Sequence, residues 1–317
     1  MSTKLSTNAL LKDAPVSCPG PETEKAGKSD ACYGCPNQTI CATAPSEDTD
    51  IERIKERMHS IKNVILVLSG KGGVGKSTVS TLLGLKLSQS FHCGIMDVDL
   101  TGPSIPCMLG IEDEPVHQSS TGWTPVYAND QLCCISIQFL LPTKDEAVIW
   151  RGDKKNGMIK QFMKDVEWDE LDYLLIDTPP GTSDEHLSTI KLFQQTNKIS
   201  GCVLVTTPQQ VAIQDVKKQI NFCKKLNLKI LGIIENMSGY ECFNCHTASN
   251  IYDCQEDGVL NMCKEYDIHY LGKLPIDPNV GLTLDDGEDY LELYPESVTS
   301  KTFNEITKDI ITEFNKF

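Results

Sequence analysis

Gly70-Lys71-Gly72-Gly73-Val74-Gly75-Lys76-Ser77-Thr78 is the stretch whose residue types and spacing commit this chain to chemistry. It satisfies G-x-x-x-x-G-K-[ST] and follows a short apolar run, Val64 to Leu68, of buried-strand type. Glycines there let backbone N–H groups wrap phosphates, and a helix opening behind them adds partial positive charge. Lys76 then meets the β and γ oxygens, and Ser77 ligates magnesium. The chemistry implied is ATP binding and hydrolysis with magnesium, with the backbone of Gly70 to Thr78 as the cradle. Two acidic segments complete such a site. Asp177 closes the run Tyr173-Leu174-Leu175-Ile176 and precedes Thr178-Pro179-Pro180-Gly181, so it stands where a strand ends beside the phosphates. In Asp97-Val98-Asp99 the strand period of two puts both carboxylates on one face. Asp97 is the candidate for the magnesium shell and Asp99 for orienting the attacking water; a solvated loop or helix cap is the plain alternative. Lys71 is a second lysine that a loop of this type does not need, and on its own it reads equally as a solvated surface residue.

The 14 cysteines form the second chemical signal. Cys18, Cys32, Cys35 and Cys41 are spaced C-x13-C-x2-C-x5-C in a segment with no core of its own, which four thiolates around one metal centre would help to fold. That spacing matches neither common ferredoxin run; iron-sulfur, tetrahedral zinc and no metal at all stay open. Cys242-Phe243-Asn244-Cys245 supplies two ligands, and a four-coordinate centre needs two more. They come from a second copy of the chain or from His246, Cys254 or Cys263, unless the turn is structural. Cys93, Cys107, Cys133, Cys134, Cys202 and Cys223 lie in or beside apolar runs and are expected to be inert packing.

The elements that must position these residues are legible as apolar runs at Val64 to Leu68, Cys93 to Met96, Tyr173 to Ile176, Val203 to Val205 and Ile230 to Ile234. Helical spacing separates them, as in Ala212, Val216, Ile220, Cys223 and Leu226, and also marks Ile51, Ile54, Met58 and Ile61. The expected fold is α/β: a mainly parallel sheet with helices on both faces, ligands at the carboxyl ends of its strands, and an N-terminal metal-binding extension. The boundary is placed at residues 1–50 and 51–317, because the first fifty residues are rich in Pro, Gly, Ser, Thr and acids without sustained periodicity. Composition narrows the partners. The chain of 317 residues holds 29 Lys and Arg against 44 Asp and Glu, a formal charge of -15, the wrong sign for nucleic acid. No apolar run is long enough to span a bilayer, and Met1 to Pro15 resembles neither a signal nor a transit peptide, so no membrane partner and a cytoplasmic location are expected.

With these residues in place, the chain from about Asp50 resembles the Mrp-like branch of the MinD and nitrogenase-iron-protein class of P-loop NTPases. Its N-terminal cysteines make it similar to the long form of the eukaryotic cytosolic iron-sulfur assembly factors. The resemblance rests on Gly70 to Thr78, Met96 to Ser104, His117 to Tyr127, Trp150-Arg151-Gly152, Asp177 to Ser183, Thr206 to Val216 and Asn236 to Cys245. It implies a deviant Walker A loop in which Lys71 reaches across a dimer to the partner's nucleotide, and an Asn236 that contacts adenine. It further implies a [4Fe-4S] cluster bridging two chains through Cys242 and Cys245, and a second cluster in each chain on Cys18, Cys32, Cys35 and Cys41. The activity implied is an ATPase that assembles clusters and hands them to apo-proteins. It would act as a homodimer or as a heterotetramer with a shorter relative lacking the N-terminal cysteines. Phe243 stands where the family motif usually has proline, and Asp153 where a proline commonly follows the Arg-Gly pair. Two rival readings are an ATP-driven electron donor with a resident cluster, and a positioning ATPase with structural zinc.

Overall fold

The computed structural model describes residues 27–36, 38–39, 47–99, 102–141, 152–181, 184–196, 198–241, 245, 247–252 and 258–314. The chain divides into two compact units, residues 1–56 and 57–317. Along it run α1 (Glu47–His59), β1 (Ile61–Ser69), α2 (Lys76–Ser88), β2 (Cys93–Asp97), α3 (Ile105–Met108), β3 (Val126–Asn129) and β4 (Leu132–Ser136). There follow α4 (Gly152–Asp165), β5 (Leu171–Asp177), α5 (Asp184–Gln194), β6 (Ile199–Thr206), α6 (Gln210–Lys225) and β7 (Ile230–Glu235). The chain closes with β8 (Tyr240–Glu241), β9 (Ala248–Ser249), α7 (Gly258–Tyr266), β10 (Tyr270–Lys273), α8 (Pro278–Asp285), α9 (Tyr290–Leu293) and α10 (Val298–Phe314).

Eight strands make one sheet in the order β10-β7-β6-β1-β5-β2-β4-β3. Every pairing in it is parallel except that of β3 with β4, which returns antiparallel along one edge. Parallel strands covered on both faces carry apolar residues in unbroken runs, and the five runs expected from the sequence are all strands here. On one face Ile65, Val67, Ile95 and Leu175 pack with Val79, Leu82 and Leu83 of α2 and with Phe303, Ile306 and Ile310 of α10. The alternate residues, among them Leu66, Leu174 and Cys202, point to the other face. There Cys202 and Cys223 of α6 bring their Sγ atoms to 3.9 Å.

Two features depart from the sequence reading. Helical spacing stops at Met58, and Ile61 opens β1 instead. The break falls at Ser60, whose hydroxyl donates to the Trp168 carbonyl at 3.0 Å and draws the chain into the sheet. Strands β3, β4 and β10 are also added to the expected set; each is short and adjoins polar, turn-forming residues, such as Asn129 and Asp130 where β3 turns back into β4. The six parallel strands inside the β10 edge each end on a polar residue: Ser69, Asp97, Ser136, Asp177, Thr206 and Glu235. All six are buried, so the carboxyl edge of the sheet carries a row of enclosed polar groups. Among the described residues no helix is long and apolar enough to cross a membrane.

Candidate functional site

The loop between β1 and α2 turns on two glycines at positive φ, Gly73 at 77° and Gly75 at 78°, a region that side-chain-bearing residues rarely adopt. Gly75 is also hemmed in, because a side chain there would strike the Asn236 amide. At the loop's start, a Cβ on Gly70 would lie 2.6 Å from the carbonyl carbon of Asp215, so this loop can rest directly on the backbone of α6 only with glycine at its root. The Ser69 hydroxyl donates to the Lys71 carbonyl at 3.0 Å. Lys71 itself is partly exposed and has no side-chain partner among the described residues.

Lys76 and Ser77 begin α2, and Asp177 ends β5 beside them. Lys76 Nζ lies 2.5 Å from Asp177 Oδ2 and 3.9 Å from Asp99 Oδ2. The Ser77 hydroxyl donates to the same Asp177 oxygen at 2.7 Å, while the Ser80 hydroxyl takes the other at 2.6 Å. Thr78 continues the first turn of α2. Asp97 lies one strand over. Its Oδ2 accepts from the Ser136 hydroxyl at 2.9 Å and its Oδ1 from the Asp99 backbone N–H at 3.1 Å. Burial and the nearby Asp177 carboxylate push Asp97 well above the usual carboxylate range, against the opposing pull of Lys76 and the Ser136 hydroxyl. Asp97 and Asp99 therefore both reach the site, but not by strand alternation: β2 stops at Asp97, and Asp99 is turned inward by its own N–H.

These groups fit magnesium. Ser77 Oγ and Asp177 Oδ2, a hydroxyl and a carboxylate, stand 2.7 Å apart. That is about the edge of an octahedron with 2.0–2.1 Å bonds, and such an ion keeps waters and phosphate oxygens as its other ligands. Asn236 follows β7. Its backbone N–H donates to Thr206 O at 2.7 Å and its side-chain amide to Val74 O at 2.9 Å, so the residue ties the end of two strands to the phosphate loop.

Four polar supports carry little or no signal in the sequence. Ser80 was open to detection, four residues after Lys76 on the same helical face. Ser136 closes an apolar run just as Asp97 and Asp177 do. His186 and Gln219 offered no signal: both are fully buried, from α5 and α6, and they meet only in the folded chain.

Of the six predicted metal ligands, Cys18, Cys41 and Cys242 lie outside the described residues. In the first unit, Cys32 and Cys35 flank a tight turn: Cys32 closes a single 3-10 turn from Asp30, and Cys35 N donates to Cys32 O at 3.1 Å. Ser29 Oγ is 3.1 Å from Cys32 Sγ. That hydroxyl above all, then the backbone groups of Ser29 and Gly27, hold the Cys32 thiol below the ordinary value. In the second unit, Cys245 is exposed and lies between β8 and β9, with its Sγ 3.2 Å from Thr247 Oγ1. Tyr240 of this hairpin bridges to Ile276, whose N–H donates to Gly239 O at 2.8 Å.

A sequence profile described as ParA, NUBPL iron-transfer P-loop NTPase, matches residues 60–311. Among solved structures, a nucleotide-binding protein from Archaeoglobus fulgidus in complex with ADP is 38% identical; the match covers 75% of this chain and 92% of that one at a TM-score of 0.64. The cell division ATPase MinD of Pyrococcus furiosus is 22% identical, with 79% and 99% of the two chains covered and a TM-score of 0.57. MinD of Pyrococcus horikoshii, complexed with Mg-ADP, is 20% identical over 78% and 95% at 0.53. The two MinD proteins share the fold.

Proposed function

Because the chain belongs to the NUBPL iron-transfer family of P-loop NTPases, we propose that it is a cytoplasmic ATPase that assembles [4Fe-4S] clusters on cysteine thiolates and passes them to apo-proteins. The observation that carries the cluster reading is the Cys32 turn. A thiol drawn below its ordinary pKa, chiefly by the Ser29 hydroxyl at 3.1 Å, and one turn from Cys35 is more readily thiolate, the form that ligates iron. In this reading Cys18, Cys32, Cys35 and Cys41 hold one cluster per chain. Cys242 and Cys245 bind the cargo cluster between two chains, either two copies of this one or this chain and a shorter relative. The exposure of Cys245 beside a hairpin supports a ligand offered outward.

ATP occupies the Gly70–Thr78 loop, with Asn236 against the adenine and Lys71 extended toward the partner's nucleotide. Lys76 neutralises charge on the β and γ oxygens, which requires it to exchange Asp177 for phosphate. Ser77 and Asp177, with Asp97 beside them, would hold magnesium, which would supply charge neutralisation to the phosphates. Asp99, already within 3.9 Å of Lys76 Nζ, orients the attacking water. Closure of two chains around ATP sets the distance between their Cys242–Cys245 motifs, and hydrolysis relaxes it so that the cargo leaves.

The test is anaerobic purification followed by iron, sulfide and zinc determination per chain, for the unaltered protein and for Cys32→Ser and Cys245→Ser. Iron and sulfide in equal amounts, partly lost in each variant, are expected. Lys76→Ala should keep iron and lose ATP-dependent transfer to an apo-protein. Zinc without sulfide would overturn the cluster reading, and undiminished transfer by Lys76→Ala would overturn the coupling.

A further inference from the structure

The segment that leaves Asp177 has an unusual supply of anchors. Thr178 donates its hydroxyl to Val67 O at 2.8 Å, and Gly181 donates its N–H to Ser69 O at 2.9 Å. Between them Pro179 and Pro180 have no N–H to give, so this stretch can be held only through its carbonyls. His186 Nδ1 lies 2.8 Å from the Pro179 carbonyl. A carbonyl only accepts, so Nδ1 carries the proton. The other ring nitrogen, Nε2, lies 3.3 Å from Gln219 Nε2 and accepts from that amide, which completes a neutral imidazole with both nitrogens engaged. Phe222 packs edge-on against the ring at 5.4 Å and fixes its plane.

Helix α6 supplies Gln219, and its Asp215, four residues earlier and so on the same face, is where the root of the phosphate loop at Gly70 touches down. One helix face thus meets both halves of the nucleotide site: the loop directly, and the segment after Asp177 through His186. Gln219 Oε1 is buried with no hydrogen-bond partner among the described residues, an arrangement that stability alone does not favour.

We infer that His186, held by Gln219, is a positioning residue for nucleotide hydrolysis: it fixes the Pro179 carbonyl, and with it the Asp177–Gly181 segment, in register with the phosphate loop through α6. Nothing in its geometry touches nucleotide; it acts through Asp177, which grips Lys76 and Ser77 at the other end of the same segment. The inference rests on the ATPase reading.

The experiment is steady-state MgATP hydrolysis by the full chain, with kcat expressed per MgADP-binding site counted by calorimetry, so that a misfolded fraction does not register. His186→Phe keeps the ring's bulk and removes both hydrogen bonds; Gln219→Met removes only the second. Expected is a kcat per site lowered about tenfold for His186→Phe and about threefold for Gln219→Met, as for small misplacements of a catalytic group. KM for MgATP should stay within a factor of about two, as for loss of an interaction made only in the transition state. A kcat per site that falls less than about twofold in Gln219→Met, or a KM that rises in proportion to the loss, overturns the inference, and Gln219→Met decides the matter even if His186→Phe does not fold. An unaltered chain that hydrolyses no MgATP would instead remove the ATPase reading and this inference with it.

Discussion

Cys134 lies in the middle of β4 with no solvent exposure, and burial, reinforced by the charge of Asp97, drives its thiol well above the ordinary range. Its neighbour Cys133 is pushed up to about 12 by burial, then by the charge of Asp169. Cys32 is only 5% exposed, yet its thiol is pulled the other way, chiefly by the Ser29 hydroxyl. The same functional group is a packing atom in the sheet and a thiol with a donor at its sulfur in the turn. Burial sets the direction at Cys134, whereas at Cys32 the donor aimed at the sulfur outweighs a lesser burial effect.

The strongest way to break this comparison is to measure iron. Cys32→Ser should remove more than half of it, while Cys134→Ser should leave the content unchanged; equal losses would place the metal elsewhere. Alkylation sharpens it next. In metal-free protein at neutral pH, Cys32 should react with iodoacetamide about 100-fold faster than Cys134, as thiolate fraction and access both favour it. The sign for pH follows from a lowered pKa: the thiolate of Cys32 survives to more acid pH than that of an ordinary thiol, so its rate profile is displaced to lower pH, and Ser29→Ala should move it back up. Mass spectrometry of the labelled peptides reads both.

Smaller effects fall on stability. Cys134→Ala should cost about 1 kcal/mol through the cavity it leaves, a shift of about 2–4 °C in melting temperature, with no change in iron. Asp97 is the carboxylate counterpart of the buried thiols. Its folded pKa is raised above the unfolded value, so the folded state binds the extra proton, and the nucleotide-free protein loses stability as pH rises from the acid side through the raised pKa. Asp97→Asn should therefore raise the melting temperature by about 1–2 °C at pH 8 in the absence of nucleotide, with less gain at pH 5; a uniform gain would count against charge burial as the cause.

Much of this arrangement was legible beforehand because it is local. Gly70 to Thr78 is contiguous, Asp97 and Asp177 each close an apolar run, and five such runs became strands. Ser136 follows the same rule, but its run Leu132 to Ile135 begins just after the turn-forming pair Asn129 and Asp130 and half of it is cysteine, which reads as packing rather than as a strand leading to a site. His186 and Gln219 could not be read, since 33 residues separate them and neither is polar in a way that marks a site until α5 and α6 pack. For Asn236 the fold adds what spacing could not: an amide spent on the Val74 carbonyl and a backbone N–H on β6. For Lys71, partly exposed, the fold adds no side-chain partner among the described residues.

The short hairpin β8–β9 has a mechanical consequence. Each of its strands holds two residues, so the ladder is about 7 Å long and too small to support itself. Its foot is stitched to Ile276, next to the Asp277 side chain that caps α8 through the Asn279 N–H and takes the Tyr290 hydroxyl. The hairpin is thus a handle bolted to a load-spreading plate: a displacement of Tyr240 is delivered to Ile276 and the adjoining Asp277, and from there to a tyrosine anchored in the core.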